Sequence, residues 1–315
     1  MNKFKHVKMA GIDKLWVVAV ISNPQRYKSR YALYEKFKQS IENAGANLLT
    51  VELAFGNRPF EVTEENHPNH VQVRTDSELW HKEQLINIGI SRLPSDWEYV
   101  AWIDADVEFC RPDWPSEIVH QLQHYDVVQC FQTAIDLGPD GEVINTFDGF
   151  AYSWATGKPG PYSKGGSGPH WHPGFAWAAT RKAINGLGGL MDFAVLGAAD
   201  HHMAWAFLGK VIERSPKNVS EAYKKHLLIW QERAKNHIRE NVGYVPGTIF
   251  HHFHGKKKDR KYIERWDILL RHNYDPELDL KRDWQGLWQF THAGLRLRND
   301  IRNYFKQRNE DSIDL

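Results

Sequence analysis

A chain of 315 residues with 42% hydrophobic content is long enough for one large α/β domain or two small ones and can bury a real core, which excludes a disordered chain. A formal net charge of +1 argues against a surface built throughout to grip nucleic acid, although residues 211–315 hold 21 Lys and Arg against 15 Asp and Glu, an excess near +6. Two cysteines, Cys110 and Cys130, make no disulfide framework and no metal or redox pair, so a reducing cytoplasm is the expected compartment.

Lys3, Lys5 and Lys8 precede an apolar run, but that run is too short to span a bilayer and lacks a small-residue cleavage site. No other stretch reaches the length of a membrane helix, so no transmembrane segment is expected. Leu15–Ser22 reads instead as a buried parallel strand that runs into a loop at Asn23-Pro24. Tyr31, Tyr34, Phe37 and Ile41 follow at helical spacing, with Gly45 where a C-terminal cap belongs. Strands are expected at 48–53 and 71–74. A helix is expected over 77–93, with Ser77 as its N-cap and Pro94 closing it, followed by a strand over 98–103. This alternation is the pattern of a parallel sheet covered on both faces. In such sheets ligands bind beyond the carboxyl ends of the strands, where Asn23 and Asp104 sit.

Residues 127–132 extend the sheet, and 149–173 form a Gly- and Pro-rich loop that reads either as a lid over a site or as a connector. A strand over 174–180, helices over 199–208 and 221–240, and a late strand over 248–253 come next. A basic segment, 255–261, leads into a Trp-rich, partly helical tail. Thirteen Trp residues either fill the core or offer flat apolar faces for stacking sugar rings.

The chemistry centres on WIDADVEF, residues 102–109, an apolar strand ending in Asp104-Ala105-Asp106. Side chains alternate along a strand, so the two carboxylates leave its end on the same side. Together they suit Mg²⁺ or Mn²⁺, which would neutralise a diphosphate and stabilise it as a leaving group. A strand-end pair of Asp residues also serves simply to cap a turn.

The D-x-D, its buried strand and the helix before it resemble the glycosyltransferases of the GT-A fold. The pattern is most similar to β-1,4-galactosyltransferases and polypeptide N-acetylgalactosaminyltransferases. The resemblance implies a Rossmann-like α/β domain, with a mostly parallel central sheet and helices on both faces, over residues 1–262. Residues 263–315 would form a helical, Trp-rich extension packed on or beside it.

Four further segments carry the resemblance. HKEQLINIG (81–89) resembles the helix that supports the donor, giving Lys82 and Asn87 that role. HPGFAWAATR (172–181) is similar to a strand beside the sugar, where Gly174 would let the donor approach the backbone and Trp177 would wall the pocket. LGAADHHMA (196–204) resembles the turn carrying the catalytic acid. Asp200 is then the general base on the acceptor hydroxyl, with inversion at the anomeric carbon. The family turn usually offers two or three acids and this one offers Asp200 with His201 and His202, so a His base or a capping role for Asp200 stays open.

In IFHHFHGKKKDRKY (249–262), strand alternation puts His252 and His254 on one face and turns His251 away. By resemblance His254 completes the cation site of Asp104 and Asp106, although three His and a carboxylate also suit zinc. Lys256, with Lys257, Lys258 and Arg260, would then lie near the diphosphate of a donor that Asn23, Lys82 and Asp104 also hold. The same run reads equally as a solvated basic loop.

No G-x-x-x-x-G-K-S/T loop and no G-x-S-x-G elbow is present, which argues against a P-loop ATPase or a serine hydrolase. Three readings stand at this stage. The first is a Mn²⁺- or Mg²⁺-dependent transferase using a UDP-sugar. The second is a metal-dependent nucleotidyltransferase or hydrolase, and the third a non-catalytic module binding glycan or nucleic acid. The acceptor stays open between a glycan, a protein and a hydroxylated DNA base.

Overall fold

The computed structural model describes residues 11–158 and 171–314. In chain order, β1 (Leu15–Ser22), α1 (Lys28–Asn43), β2 (Asn47–Phe55), β3 (His70–Thr75), α2 (Lys82–Ile90) and β4 (Tyr99–Ile103) make the first half. A short β5 (Val107–Phe109) and α3 (Trp114–Gln121) follow, then β6 (Val127–Gln129), β7 (Thr133–Leu137), β8 (Val143–Asp148) and α4 (Phe150–Ala155). The second half holds β9 (Ala176–Thr180), α5 (Arg181–Leu187), α6 (Ala199–Phe207), α7 (Glu221–His237), β10 (Val242–Tyr244) and β11 (Thr248–His251). The tail is α8 (Arg265–Arg271), α9 (Pro276–Asp279), β12 (Leu280–Arg282), β13 (Trp288–Phe290) and α10 (Arg298–Gln307).

Seven strands form the central sheet in the order β10-β6-β9-β4-β1-β2-β3, parallel except for β9, which runs antiparallel to both its neighbours. Alternation along the strands sorts the core into two layers. Val18, Val100 and Trp102 face a layer with α2, α6, α7 and the tail, while Val17, Ala19, Ala101 and Ile103 face α1 and α3. The result is the expected α/β architecture, a mostly parallel sheet with helices on both faces. Leu280, Leu287, Ile301 and Phe305 of the tail share the first layer's apolar cluster, which spans the sheet and the tail alike.

Two local differences from expectation bear on the site. The helix expected over 77–93 is shorter, because Ser77 Oγ is engaged by Gln289 in β13 and by the Phe290 amide instead of capping. The turn before α2 is closed by His81, whose ring bonds the Ser77 carbonyl and Gln84. The loop expected over 149–173 contains α4 and an isolated bridge between Gly149 and His172. The lid expectation for the rest of it falls on 159–170, outside the described residues. No helix among the described residues is long and apolar enough to cross a membrane.

A second sheet, β5-β11-β7-β8, stands beside the carboxyl ends of the central strands. Its register places His251 opposite both Val107 and Asp136. Because β9 is antiparallel, its entry loop, not its exit, lies at the same rim as the end of β4, and the Asp104 amide donates to the Phe175 carbonyl at 2.8 Å.

Candidate active site

A cavity of about 1080 Å³ opens at that rim, lined from β1, α2, the β4–β5 turn, the loop before β9, the start of α6, the segment after β11 and the tail. At its β1 end Asn23 is buried and folds its side chain onto Tyr27. Its Oδ1 accepts from the Tyr27 amide at 2.9 Å and its Nδ2 donates to the Tyr27 carbonyl at 2.8 Å. Asn23 thus shapes the wall, with one side-chain N–H and its oxygen held by Tyr27.

Asp104 and Asp106 part company. The strand ends at Ile103 and the chain turns, with the Val107 amide donating to the Asp104 carbonyl, so period-two alternation no longer applies. Asp104 forms an ion pair with Lys82 at the start of α2. Asp106 turns the other way: its Oδ2 lies 2.8 Å from His254 Nε2, and its Oδ1 lies 3.8 Å from His251 Nε2. Burial pushes the Asp106 carboxyl up, yet His251, His254 and Arg260 beside it together hold it well below the usual carboxylate range. Burial dominates at Asp104 and raises it, with Asp106 adding to the rise against the pull of Lys82.

Asp106, His251 and His254 offer ligand atoms within 4.8 Å of one another, and this trio is the one metal-compatible cluster among the described residues. Asp104 is not in it, and His251, expected to face away, is. β11 stops at His251, so His252 and His254 are no longer strand neighbours. His252 instead pairs with exposed Glu108 at 2.9 Å.

Three features fit a cation here. The buried Asp106 Oδ1 has no hydrogen-bond partner. His254 is lowered to about 4 by burial and by Arg260, whose Nη2 donates to His254 Nε2 at 3.1 Å, so the ring is neutral at pH 7 with its lone pair on Nε2, the nitrogen that faces Asp106. The 2.8 Å between His254 Nε2 and Asp106 Oδ2 is close to the edge of an octahedron with bonds near 2.1 Å, roughly 3 Å.

Lys82 is the positive centre of an acidic group. Burial would lower it, but Asp104, Glu83 and Asp200 together hold its ammonium above the ordinary lysine range. Glu83, buried on the same helical turn and lining the cavity, is pushed up to about 8 by burial, with Asp200 adding to the rise. Asp200 lies in the first turn of α6, where Ala198 and not Asp200 is the N-cap, and its Oδ1 accepts from the His201 amide at 2.8 Å. A Cβ on Gly174 would sit 2.9 Å from Asp200 Oδ2, so the glycine leaves that carboxylate its place in the cavity wall. His201 Nε2 is taken up by the Arg214 carbonyl, and His202 is fully buried against Tyr223 and Ser215, outside the cavity lining.

Three expected residues are placed elsewhere. Trp177 is in the middle of β9, buried in the core against Phe207 and opposite Trp102, and walls nothing. Lys256 points toward Asp314, and it is Lys257 that lines the cavity, paired with Asp136. Asn87 binds the Leu190 backbone in both directions. The tail supplies what the motifs did not reveal. Arg308 and Glu310 line the cavity, with Glu310 buried, gripped by Arg30 and Arg308, and 3.9 Å from His254 Nδ1.

No protein-family model matches the sequence, and no curated protein matches it. Loose likenesses to solved structures exist. A manganese, UDP-Gal and xylobiose complex of a mutant Drosophila β1,4-galactosyltransferase 7 aligns with a TM-score of 0.39 and 10% identity, over 85% of each chain. The xylobiose complex of that enzyme's catalytic domain aligns with a TM-score of 0.32 and 10% identity, over 61% of this chain and 59% of that one. S. aureus TarS with UDP-GlcNAc aligns with a TM-score of 0.43 and 8% identity, over 82% of this chain and 69% of that one. At these scores they stand beside the geometry without adding to it.

Proposed function

We propose that the protein is a metal-dependent glycosyltransferase that moves a sugar from a nucleoside-diphosphate donor, of which a UDP-sugar is the first to test, to an acceptor hydroxyl with inversion. The observation that carries this reading is the convergence, in one cavity at the carboxyl ends of a parallel sheet, of two separate charge centres. One is Asp106 with His251 and His254. The other is Lys82 with Asp104, Glu83 and Asp200. A single acid would serve a hydrolase as well; a cation site next to a lysine and a second carboxylate matches a diphosphate leaving group and an activated nucleophile.

When bound, Mn²⁺ or Mg²⁺ would be held by Asp106, His251 and His254 and would supply positive charge to the departing diphosphate. Lys82 and Lys257 add fixed cations at the same wall, and Lys82 keeps its proton beside the Asp104 carboxylate with which it pairs. Asn23 and Tyr27 shape the floor past β1, where the nucleoside would lie. Asp200 lines the cavity from a helix start, which supports it as the group that takes the acceptor proton. Residues 263–315 act in this reading as an extension that finishes the cavity wall.

The test is a panel of nucleotide-sugars and nucleoside triphosphates read by thermal shift with and without Mn²⁺, followed by donor hydrolysis. One nucleotide-sugar should raise the melting temperature in the presence of Mn²⁺. Asp106→Ala should remove that shift and cut hydrolysis at least 100-fold while the circular dichroism spectrum stays that of the native fold. Stabilisation by a triphosphate and by no nucleotide-sugar would turn the reading to a nucleotidyltransferase. Glycan or nucleic-acid binding unaffected by EDTA would turn it to a binding module.

A further inference from the structure

We propose that Asp136 is a positioning residue for His251: it fixes the tautomer of that imidazole so that Nε2 presents a lone pair toward Asp106. The inference rests on the metal reading above and deepens it. Asp136 lies on β7 and His251 on β11, and the parallel register of the two strands sets them opposite each other. Asp136 is 2% exposed, and its Oδ1 lies 2.8 Å from His251 Nδ1. A carboxylate can only accept, so Nδ1 carries the proton.

The far nitrogen is left to Asp106, whose nearer oxygen, Oδ1, is buried and without a hydrogen bond. The ring is also held from its face, tilted against Phe175 with centroids 4.7 Å apart. The other carboxylate oxygen of Asp136 pairs with Lys257, whose ammonium lies 4.4 Å from the centre of the Phe147 ring. Asp136 is thereby kept ionised and pointing at the imidazole, and burial is compensated by two partners instead of one.

Nothing in the motif pattern marks this residue. It lies 115 positions from His251, in a strand that carries no expected site residue. Its location is nevertheless that of the carboxylate which, behind a ligating histidine, orients the ring and raises its basicity.

Two measurements on the full chain test it. The first needs no metal. Long-range ¹H–¹⁵N correlation of the imidazole nitrogens should show His251 in the Nδ1–H form in the wild type, and a shift to Nε2–H or a mixture in Asp136→Ala. An Nε2–H wild type would overturn the proposal. The second is Mn²⁺ affinity by calorimetry and by electron paramagnetic resonance of the free ion. Asp136→Asn and Asp136→Ala should weaken Mn²⁺ by 10- to 100-fold. Adding Asp136→Ala to His251→Ala should bring no further loss, because the carboxylate acts through that ring.

Affinity within twofold of wild type in both Asp136 variants, or an additive double variant, would sink the inference while leaving the metal reading intact. A wild type that binds no Mn²⁺ with or without UDP would sink the metal reading itself. Should Asp136→Ala fail to fold, Asp136→Asn, which preserves shape, carries both measurements.

Discussion

Asp200 holds one carboxylate oxygen on the His201 amide and the other beside Gly174, so its orientation is set before any acceptor arrives. A general base in this position predicts that Asp200→Asn lowers kcat by about 10²- to 10⁴-fold. Donor affinity, read by Mn²⁺-dependent thermal shift, should change little. A kcat within threefold of wild type would show that Asp200 is not the base. At this scale the sequence was partly legible. D-x-D announced acidic chemistry, and the aspartates do reach one cavity. They answer to different partners because the strand ends at Ile103, before either aspartate, so alternation does not relate them, which gives Asp104 to Lys82 and Asp106 to the histidines. His251 was hidden by the same rule, since alternation continued past the last residue of β11 assigns it the wrong face.

Among elements, α2 shows how closely this site is tied to sheet packing. Gly89 faces the sheet, and a Cβ there would lie 2.6 Å from Val18 Cγ1 and 2.9 Å from Val51 Cγ2. Gly89→Ala gains helix propensity of up to about 1 kcal/mol but forces α2 away from β1 and β2, an overpacking cost of about 1–3 kcal/mol. The net outcome should be a lower melting temperature. Weaker donor binding should accompany it, because Lys82 rides on the displaced helix. The strands and helices with strong apolar periods, β1, α1, β2, β4, α6 and α7, were readable from residue spacing. The short β5, β7 and β8 were not: three to six residues carry too little periodic signal, and Val143, Glu142 and Asn145 of that region are exposed. Of the second sheet only β11 was therefore expected, over 248–253, and its partner strands, with Asp136 among them, were invisible from the sequence.

For the whole molecule, the tail decides how the cavity is finished. Tyr27 donates its hydroxyl to the Phe305 carbonyl, the amides of Lys28 and Ser29 bind Asp311, and Arg30 grips Glu310. Gly255, at φ 84°, is passed so closely that a Cβ would lie 2.7 Å from the Asn309 carbonyl oxygen. Burial pushes the Glu310 carboxyl up, but Arg30 and Arg308 hold it well below its ordinary value of 4.5. A depressed folded-state pKa contributes stability that is complete above the unfolded value and is lost as pH falls through the folded one. Melting temperature followed from pH 7 to pH 3 should therefore decline below about 4.5. Glu310→Gln should start about 3–5 kcal/mol less stable, with the Arg308 guanidinium left buried and that of half-buried Arg30 unpaired, and should decline less steeply with acid. Composition gave no warning of this. The tail's charge excess did not show that Arg308 is spent inside, on Glu310 and on the face of Trp80.

The pinning of residues 305–311 against the first turn of α1 also sets an order of events during synthesis. Chains emerge from the ribosome with the amino-terminal part first. The metal-compatible trio and Asp200 precede Arg308 and Glu310 in the chain, so they are synthesised while that part of the cavity wall is still untranslated. On the proposed reading a nascent chain is thus a scaffold with an unfinished chamber, and donor binding would wait until residue 310 has left the tunnel.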